Sequence, residues 1–224
     1  MANFETKTTL GINKLASVLT IPKFARTRYR DHANFGIGTL VLIALLTALP
    51  AQARDFSSGV TESNEIVHLR PEFKVPDEPN QLFYVQRSPN ANTVVYAAKL
   101  DAKGDFDSRN PVDAFWRKFN IDGSKKSLNF IERMMAYGVR IAANKAGQPV
   151  SFTIAALPQR KLTLSWDEHR RPQATLAIGN RTVKLAYVYL QVEEGGLMPD
   201  VPSLDIVGTD IASGKAIHEH LIQK

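Results

Sequence analysis

Two histidines near the carboxyl end of the chain form the sharpest chemical pattern in the sequence. They lie in the stretch His218-Glu219-His220. Because side chains alternate between the two faces of a β-strand, this spacing places both imidazoles on one face. Paired imidazoles begin many zinc, copper and iron sites, and such a site requires a third ligand from His68, His169 or a carboxylate. The alternative interpretation is an ordinary solvent-exposed strand end.

A second set of residues could form a pocket for an anionic or sugar-like ligand. Arg133 and Tyr137 are four residues apart in a predicted helix, so they share one of its faces. Arg87 ends one predicted strand, and Trp116 lies in another. If the helix covers the mouth of a barrel, these guanidinium and aromatic groups could bind the ligand together. The alternative is that the rings belong to the core and the arginines pair with carboxylates or water.

Patterns for other chemistries fail on spacing or context. The sequence contains neither Gly-x-Ser-x-Gly nor Ser-x-x-Lys, and the serine, acids and histidine within 165–169 are merely adjacent, which is not the geometry of a triad. The acidic loop from Asp101 lacks EF-hand spacing, and Gly195-Gly196 lacks the helix start of a phosphate-binding loop. No catalytic residue is therefore assigned, no cofactor is expected, and binding is favoured over catalysis.

The elements that position these residues follow a leader. Residues 35–49, FGIGTLVLIALLTAL, form an uncharged run of 15 residues. This run is shorter than the roughly 20 residues of a membrane-spanning helix and fits a secretory signal. Six basic residues against two acidic ones precede it, and Ala51-Gln52-Ala53 offers small residues to a signal peptidase. We expect cleavage after Ala53 and a periplasmic or secreted protein. An uncleaved membrane anchor is the alternative, and residues 1–34 are either a real extension or a misassigned start.

Cleavage at that point leaves 171 residues, enough for a single domain with one core. The leader holds 6 of the 28 basic and 2 of the 22 acidic residues, so the net charge falls from +6 to +2. A nucleic-acid partner therefore loses its main support. Cysteine is absent, which excludes thiol chemistry and is compatible with export, because a domain of this length needs no disulfides.

The mature chain begins with a polar stretch and continues as a single β-rich domain over 81–224. Residues 54–80 contain three prolines and no sustained period, which indicates a linker or an arm laid over the domain. The runs LFYVQR and TVVYAAKL predict a hairpin whose turn is Ser88-Pro89-Asn90-Ala91-Asn92. This turn explains the proline and asparagines without a ligand.

The rest of the domain is predicted to be mostly strands with one α-helix. Residues 110–119 fit either a helix or a strand, and valine, phenylalanine and tryptophan favour the strand. Residues 127–137 have helical spacing, with Ser127 as the cap and Gly138 ending the helix at positive φ. Seven further strands follow, over 139–143, 149–157, 161–166, 174–178, 182–192, 204–208 and 216–222. Close spacing predicts an antiparallel barrel or sandwich of about ten strands.

The order of three stretches carries a family resemblance. LFYVQRS with its following asparagine and VVY, then NPVDAFWR, then SLNFIERMMAYGV together resemble a bacterial family known only as domain of unknown function 4833. The similarity covers about 82–220, and none of the stretches is specific alone. The resemblance implies no activity, substrate or cofactor, so no catalytic residue is carried over.

These observations favour an exported, non-enzymatic domain that binds a small molecule or an envelope protein. One alternative is a hydrolase or other enzyme acting on an envelope component, and another is a metal-binding protein through His218 and His220. A structural module that docks on another protein is a further possibility. Contact with the membrane is expected only through the signal segment, if it is not cleaved.

Cleavage after Ala53 gives the first testable prediction. Edman degradation of protein recovered from its host should begin at Arg54, and the protein should be found outside the cytosol. An intact amino end on cytosolic material would contradict the export prediction.

Overall fold

The structure, a computed structural model, describes residues 56–88, 90–143, 148–193 and 200–223. These residues form twelve strands of one sheet and one short helical segment. The strands are β1 (Phe56–Ser63), β2 (Gln81–Arg87), β3 (Asn90–Ala98), β4 (Val112–Arg117), β5 (Lys125–Ser127), β6 (Val139–Ala143), β7 (Val150–Ile154), β8 (Leu157–Trp166), β9 (Pro172–Ile178), β10 (Arg181–Glu193), β11 (Asp200–Asp210) and β12 (Ala216–Gln223). The predicted mainly β fold is confirmed, as a single curled sheet with more strands than the ten expected.

Strand β10 organises the sheet because both of its edges carry partners. Along one edge lies β11, followed by β12 and then β1. The other edge is shared, since the first half of β10 pairs with β9 and the second half pairs with β2. One wing continues from β2 through β3 and β4 to β5, and the other runs from β9 through β8 and β7 to β6. The wings curl toward each other until β4 and β6 are in contact.

The main core fills the inside of this curl. In β7, Val150, Phe152 and Ile154 are fully buried, while the residues between them are partly exposed. This two-residue period directs every second side chain of a strand to the inner face. Across the opposite wing, Phe83 and Tyr96 stack with ring centroids 4.5 Å apart. Burial of these side chains supplies the main driving force for the curl.

A second, smaller apolar layer lies on the outer face of the sheet. The rings of Tyr84 and Tyr187 stack there at 5.3 Å, and His68 stacks on Tyr187 at 5.6 Å. The Tyr187 hydroxyl donates to the Val67 carbonyl at 2.5 Å and accepts from the Leu69 amide at 3.1 Å. The chain between β1 and β2 is therefore held over the outer face by specific hydrogen bonds.

The helix predicted over 127–137 is wrong at its start and in its type. Ser127 ends β5 and does not cap the helix. Asn129 is the cap instead: its side chain accepts from the Glu132 amide, and Glu132 accepts from the Asn129 amide. Only Phe130–Glu132 is α-helical, and Arg133–Tyr137 continues as a π-helix. The predicted apolar face is not kept either, because Leu128 is buried whereas Ile131 and Met135 are exposed. Helical spacing alone cannot reveal the wider turn, since it assumes hydrogen bonds from residue i to i+4.

Gly138 is required for a reason other than the predicted left-handed conformation. Its φ is −67° and its ψ is 147°, which any residue can adopt. A Cβ at this position would lie 1.9 Å from the carbonyl oxygen of Arg133. The close approach of the π-helical backbone therefore excludes a side chain here.

Three other predictions need correction. Within 54–80, interpreted as a linker or arm, Phe56–Ser63 forms β1 and pairs with β12, so the last strand is not a sheet edge. The turn after Arg87 is shorter than predicted, because β3 already begins at Asn90.

The third correction concerns strand pairing, which is antiparallel except between β2 and β10; these two strands are parallel. Turn signals carry no information about that pair, because the two strands are far apart in sequence.

The predicted signal segment 35–49 and its cleavage site after Ala53 lie outside the described residues. So do Pro89 and Gly195-Gly196. Among the residues that are described, no helix has the length and apolar character needed to cross a membrane.

A glycine in β11 offers a test of the sheet. Opposite Gly208 the pairing of β10 is shifted by a bulge, and a Cβ on Gly208 would lie 2.3 Å from the carbonyl oxygen of Lys184. Gly208→Ala should lower the free energy of unfolding by about 1–3 kcal/mol, because the backbone of β10 at Lys184 and the side chain of Val183 would have to move away from the added methyl group. Urea unfolding measures this loss.

The matched control is Gly59→Ala in β1, where a Cβ would meet nothing within 4 Å. This variant should unfold at about the same urea concentration as the unsubstituted protein. Equal stability of the two variants would contradict the close packing of β10 on β11.

Candidate functional site

Two adjacent strands bring a carboxylate to the two histidines, and a third strand flanks them. On β12, His218 and His220 lie on the outer face of the sheet, as the alternation predicts. The register of β11 against β12 places Asp205 directly opposite His220. On the other side of β12, Gly59 of β1 is opposite His220, and Thr61 is opposite His218. Small residues on β1 thus leave the imidazoles uncovered.

The three side chains converge on one point. Oδ1 of Asp205 is 2.7 Å from Nε2 of His218 and 2.6 Å from Nδ1 of His220. The Asp205 side chain is 8% exposed, whereas those of His218 and His220 are 30% and 44% exposed. A buried carboxylate therefore anchors two imidazoles that reach solvent.

This donor set fits a transition-metal ion. Two imidazole nitrogens and one carboxylate oxygen lie within 4.8 Å of one another. Ligands about 2.1 Å from a zinc ion lie roughly 3.0–3.4 Å apart, so the present contacts would open by less than about 1 Å. Hydrogen bonds join both imidazoles to Oδ1 of Asp205 in the present arrangement, and a metal ion would take the place of the hydrogen atoms between these atoms.

Three tyrosines on the outer face, Tyr84, Tyr187 and Tyr189, form a tyrosine row that borders Asp205 and the two histidines. Tyr189 of β10 is opposite Asp205 in the sheet, and its hydroxyl is 3.4 Å from Nη1 of Arg70. Burial raises the pKa of Tyr187, the Leu69 amide opposes this, and the charge of Asp205 raises it further. The outer face around Asp205 is therefore partly apolar on the side of β10 and open to solvent on the side of β1.

The other histidines that the sequence offers as a third ligand lie elsewhere. His68 stacks on Tyr187 and hydrogen-bonds to the Tyr84 hydroxyl at 3.4 Å. His169 lies in an exposed loop and pairs with Glu168 at 3.2 Å. Neither joins the group formed by Asp205 and the histidine pair.

Glu219, between the two histidines, points to the inner face. It is 3% exposed, and its Oε1 binds Nη2 of Arg160 on β8 at 2.6 Å. This ion pair fixes which face of β12 is inside, and so it also directs both imidazoles outward.

The structure also brings together three of the four residues predicted to form a ligand pocket. Trp116 and Tyr137 are buried and meet edge to face, with ring centroids 5.1 Å apart. The guanidinium of Arg87 lies 5.5 Å from the centre of the Trp116 ring. Burial raises the pKa of Tyr137, and the nearby charge of Arg87 partly opposes this. Arg133 lies apart from this contact, because its Nε donates to the Leu128 carbonyl at 3.1 Å.

Arg133 instead lines a small cavity where the two wings meet. This cavity has a volume of about 100 Å³. Its lining residues are Asn110, Val112, Ala114, Leu128, Arg133, Gly138, Val139 and Ile141. Drug-sized ligands occupy pockets of roughly 300–1,000 Å³, so this space is too small for such a ligand.

Sequence reasoning missed Asp205 as a specific ligand and left the carboxylate unnamed. The signal was available in Leu204-Asp205-Ile206-Val207, where one carboxylate interrupts an apolar strand. Ionised side chains are rarely buried without a partner, so this aspartate should have a binding or pairing role.

Comparison with known proteins identifies the family and nothing more specific. No curated protein and no solved structure matches the chain. The family model described as domain of unknown function (DUF4833) matches residues 83–220, a span that includes Asp205, His218 and His220. The match covers more than half of the chain, and the resemblance carried by the three stretches is thereby confirmed. This protein belongs to the DUF4833 family.

Proposed function

We propose that this protein is an exported domain that binds a divalent transition-metal ion through Asp205, His218 and His220. The observation that carries the proposal is the convergence of one carboxylate oxygen and two imidazole nitrogens, at 2.6 and 2.7 Å, on the outer face of the sheet. Export rests on the leader, and it would place the site in the periplasm or outside the cell.

The ligand types favour zinc or iron(II). Imidazole suits both ions, and two histidines with one carboxylate are the ligand set of many iron(II) centres and of zinc sites that keep an open position. Hard cations such as magnesium and calcium prefer all-oxygen ligands. Three protein ligands leave at least one position open, and the exposed imidazole edges direct it toward solvent.

Binding accounts for the site better than catalysis does. The three ligands lie on the face of a sheet, and none of them lines the cavity between β4 and β6. A hydrolase acting on an envelope component would use a metal-bound water as its nucleophile, and it would also need a cleft to position the substrate. Metal binding requires only the three ligands and the strands that hold them.

Metal content and affinity test the proposal. Full-length protein purified without chelators should contain close to one zinc or iron ion per chain by elemental analysis. Asp205→Asn, His218→Ala and His220→Ala should each raise the dissociation constant for the metal ion by at least about 100-fold. Loss of a group that merely hydrogen-bonds to a ligand already lowers metal affinity by roughly 10–100-fold. Competition against a chromophoric chelator measures these constants.

His169→Ala provides the matched control, since it removes an exposed histidine that lies outside the group. Its affinity should equal that of the unsubstituted protein. The proposal would be overturned if the protein held no stoichiometric metal after loading with zinc or iron(II). It would also be overturned if His169→Ala lost as much metal affinity as the three ligand variants.

A further inference from the structure

We propose a second binding site, for an oxyanion, formed by Arg87, Lys118 and the indole N–H of Trp116 at the end of the main core. It is independent of the metal site, because these residues lie on the inner face near β2, β4 and β5. The ligand class is a phosphate or carboxylate group, whose charged oxygens accept hydrogen bonds from these donors.

Two buried donors at this position have no acceptor. Among the described residues, Nε of Arg87 and Nε1 of Trp116 are both buried without a hydrogen-bond partner. The Trp116 side chain belongs to the core, with the residue only 3% exposed. Buried polar groups in folded proteins are nearly always hydrogen-bonded, so two orphaned N–H groups near one ring point to a missing acceptor.

Positive charge accumulates around the same ring. Nζ of Lys118 is 4.1 Å from the centre of the Trp116 ring, and the Arg87 guanidinium is 5.5 Å from it. Burial lowers the pKa of Lys118, Glu132 partly opposes this, and the charges of Lys126 and Arg87 lower it further. Lys118, Lys126 and Arg87 thus bring three positive charges together, and Glu132 supplies one negative charge nearby.

That carboxylate is already engaged elsewhere. Oε2 of Glu132 accepts from the Asn129 amide at 2.8 Å as part of the helix cap. Among the described residues, no hydrogen bond joins Glu132 to Nε of Arg87 or Nε1 of Trp116, so both donors remain without an acceptor. An added anion would supply both the missing charge and the missing acceptors.

The site is held in place by the core beneath it. The Tyr96 hydroxyl donates to the Tyr137 carbonyl at 2.9 Å, which fixes the end of the π-helix against β3. Tyr137 in turn packs edge to face against Trp116, and the Arg87 guanidinium lies beside the same indole ring. The donors are therefore positioned before any ligand arrives, which reduces the entropy lost on binding.

Calorimetric titration of the full chain with inorganic phosphate, and separately with acetate, tests the proposal. The protein is first passed over a chelating resin, so that metal at Asp205 and the histidines does not bind the anion. Saturable binding of one anion per chain is expected. Arg87→Gln and Lys118→Gln should each weaken it at least about tenfold, because each loses a charge-assisted hydrogen bond.

Lys103→Gln is the matched control, because it removes one positive charge from an exposed loop. Its dissociation constant should stay within about twofold of the unsubstituted value. Trp116→Phe keeps an aromatic ring and removes the N–H, so it should also weaken binding and serves as a second test if Arg87→Gln fails to fold. Lack of saturable binding by both anions up to about 10 mM, or equal affinities in all variants, would overturn the proposal.

Discussion

The register between β11 and β12 is the constraint on which the candidate metal site depends. In this register Asp205 lies opposite His220, and all three ligands point outward. A slip by one residue would turn the imidazoles toward the core and expose Glu219. The ion pair between Glu219 and Arg160 opposes such a slip, because an unpaired buried carboxylate is strongly unfavourable. Pairing with β1 adds a second restraint, since β12 then has a hydrogen-bonded neighbour on each side.

The shared edge of β10 explains why one sheet offers two separate faces for binding. Because β2 and β9 divide that edge, the two wings diverge and then curl around a common core. The inner face ends in the cations around Trp116, and the outer face carries the tyrosine row and Asp205. Each set of side chains belongs to strands that have a partner on both edges, such as β4 and β11, or to residues next to them. Rigid strands hold ligands more accurately than loops do.

The amino-acid sequence predicts local patterns well here and long-range pairings poorly. Alternation locates most strands between Val139 and Gln223 and places His218 and His220 on one face. Alternation does not identify β1, because the residues of this strand are mostly polar and show no apolar period. It also gives no sign of the parallel pairing of β2 with β10. Asp205 is likewise separated from its partners by a turn, so only the strand register reveals the three-residue site. The π-helix escapes prediction because helical spacing assumes hydrogen bonds from residue i to i+4, and the residue types of Arg133–Tyr137 do not indicate the i to i+5 pattern.

A crystal structure of zinc-loaded protein, with data collected at the zinc absorption edge, tests the metal site most directly. The account predicts one strong anomalous peak on the outer face, at about 2.0–2.2 Å from Oδ1 of Asp205, Nε2 of His218 and Nδ1 of His220. A peak at His68 or His169 with none between β11 and β12, or no peak at all, would contradict it.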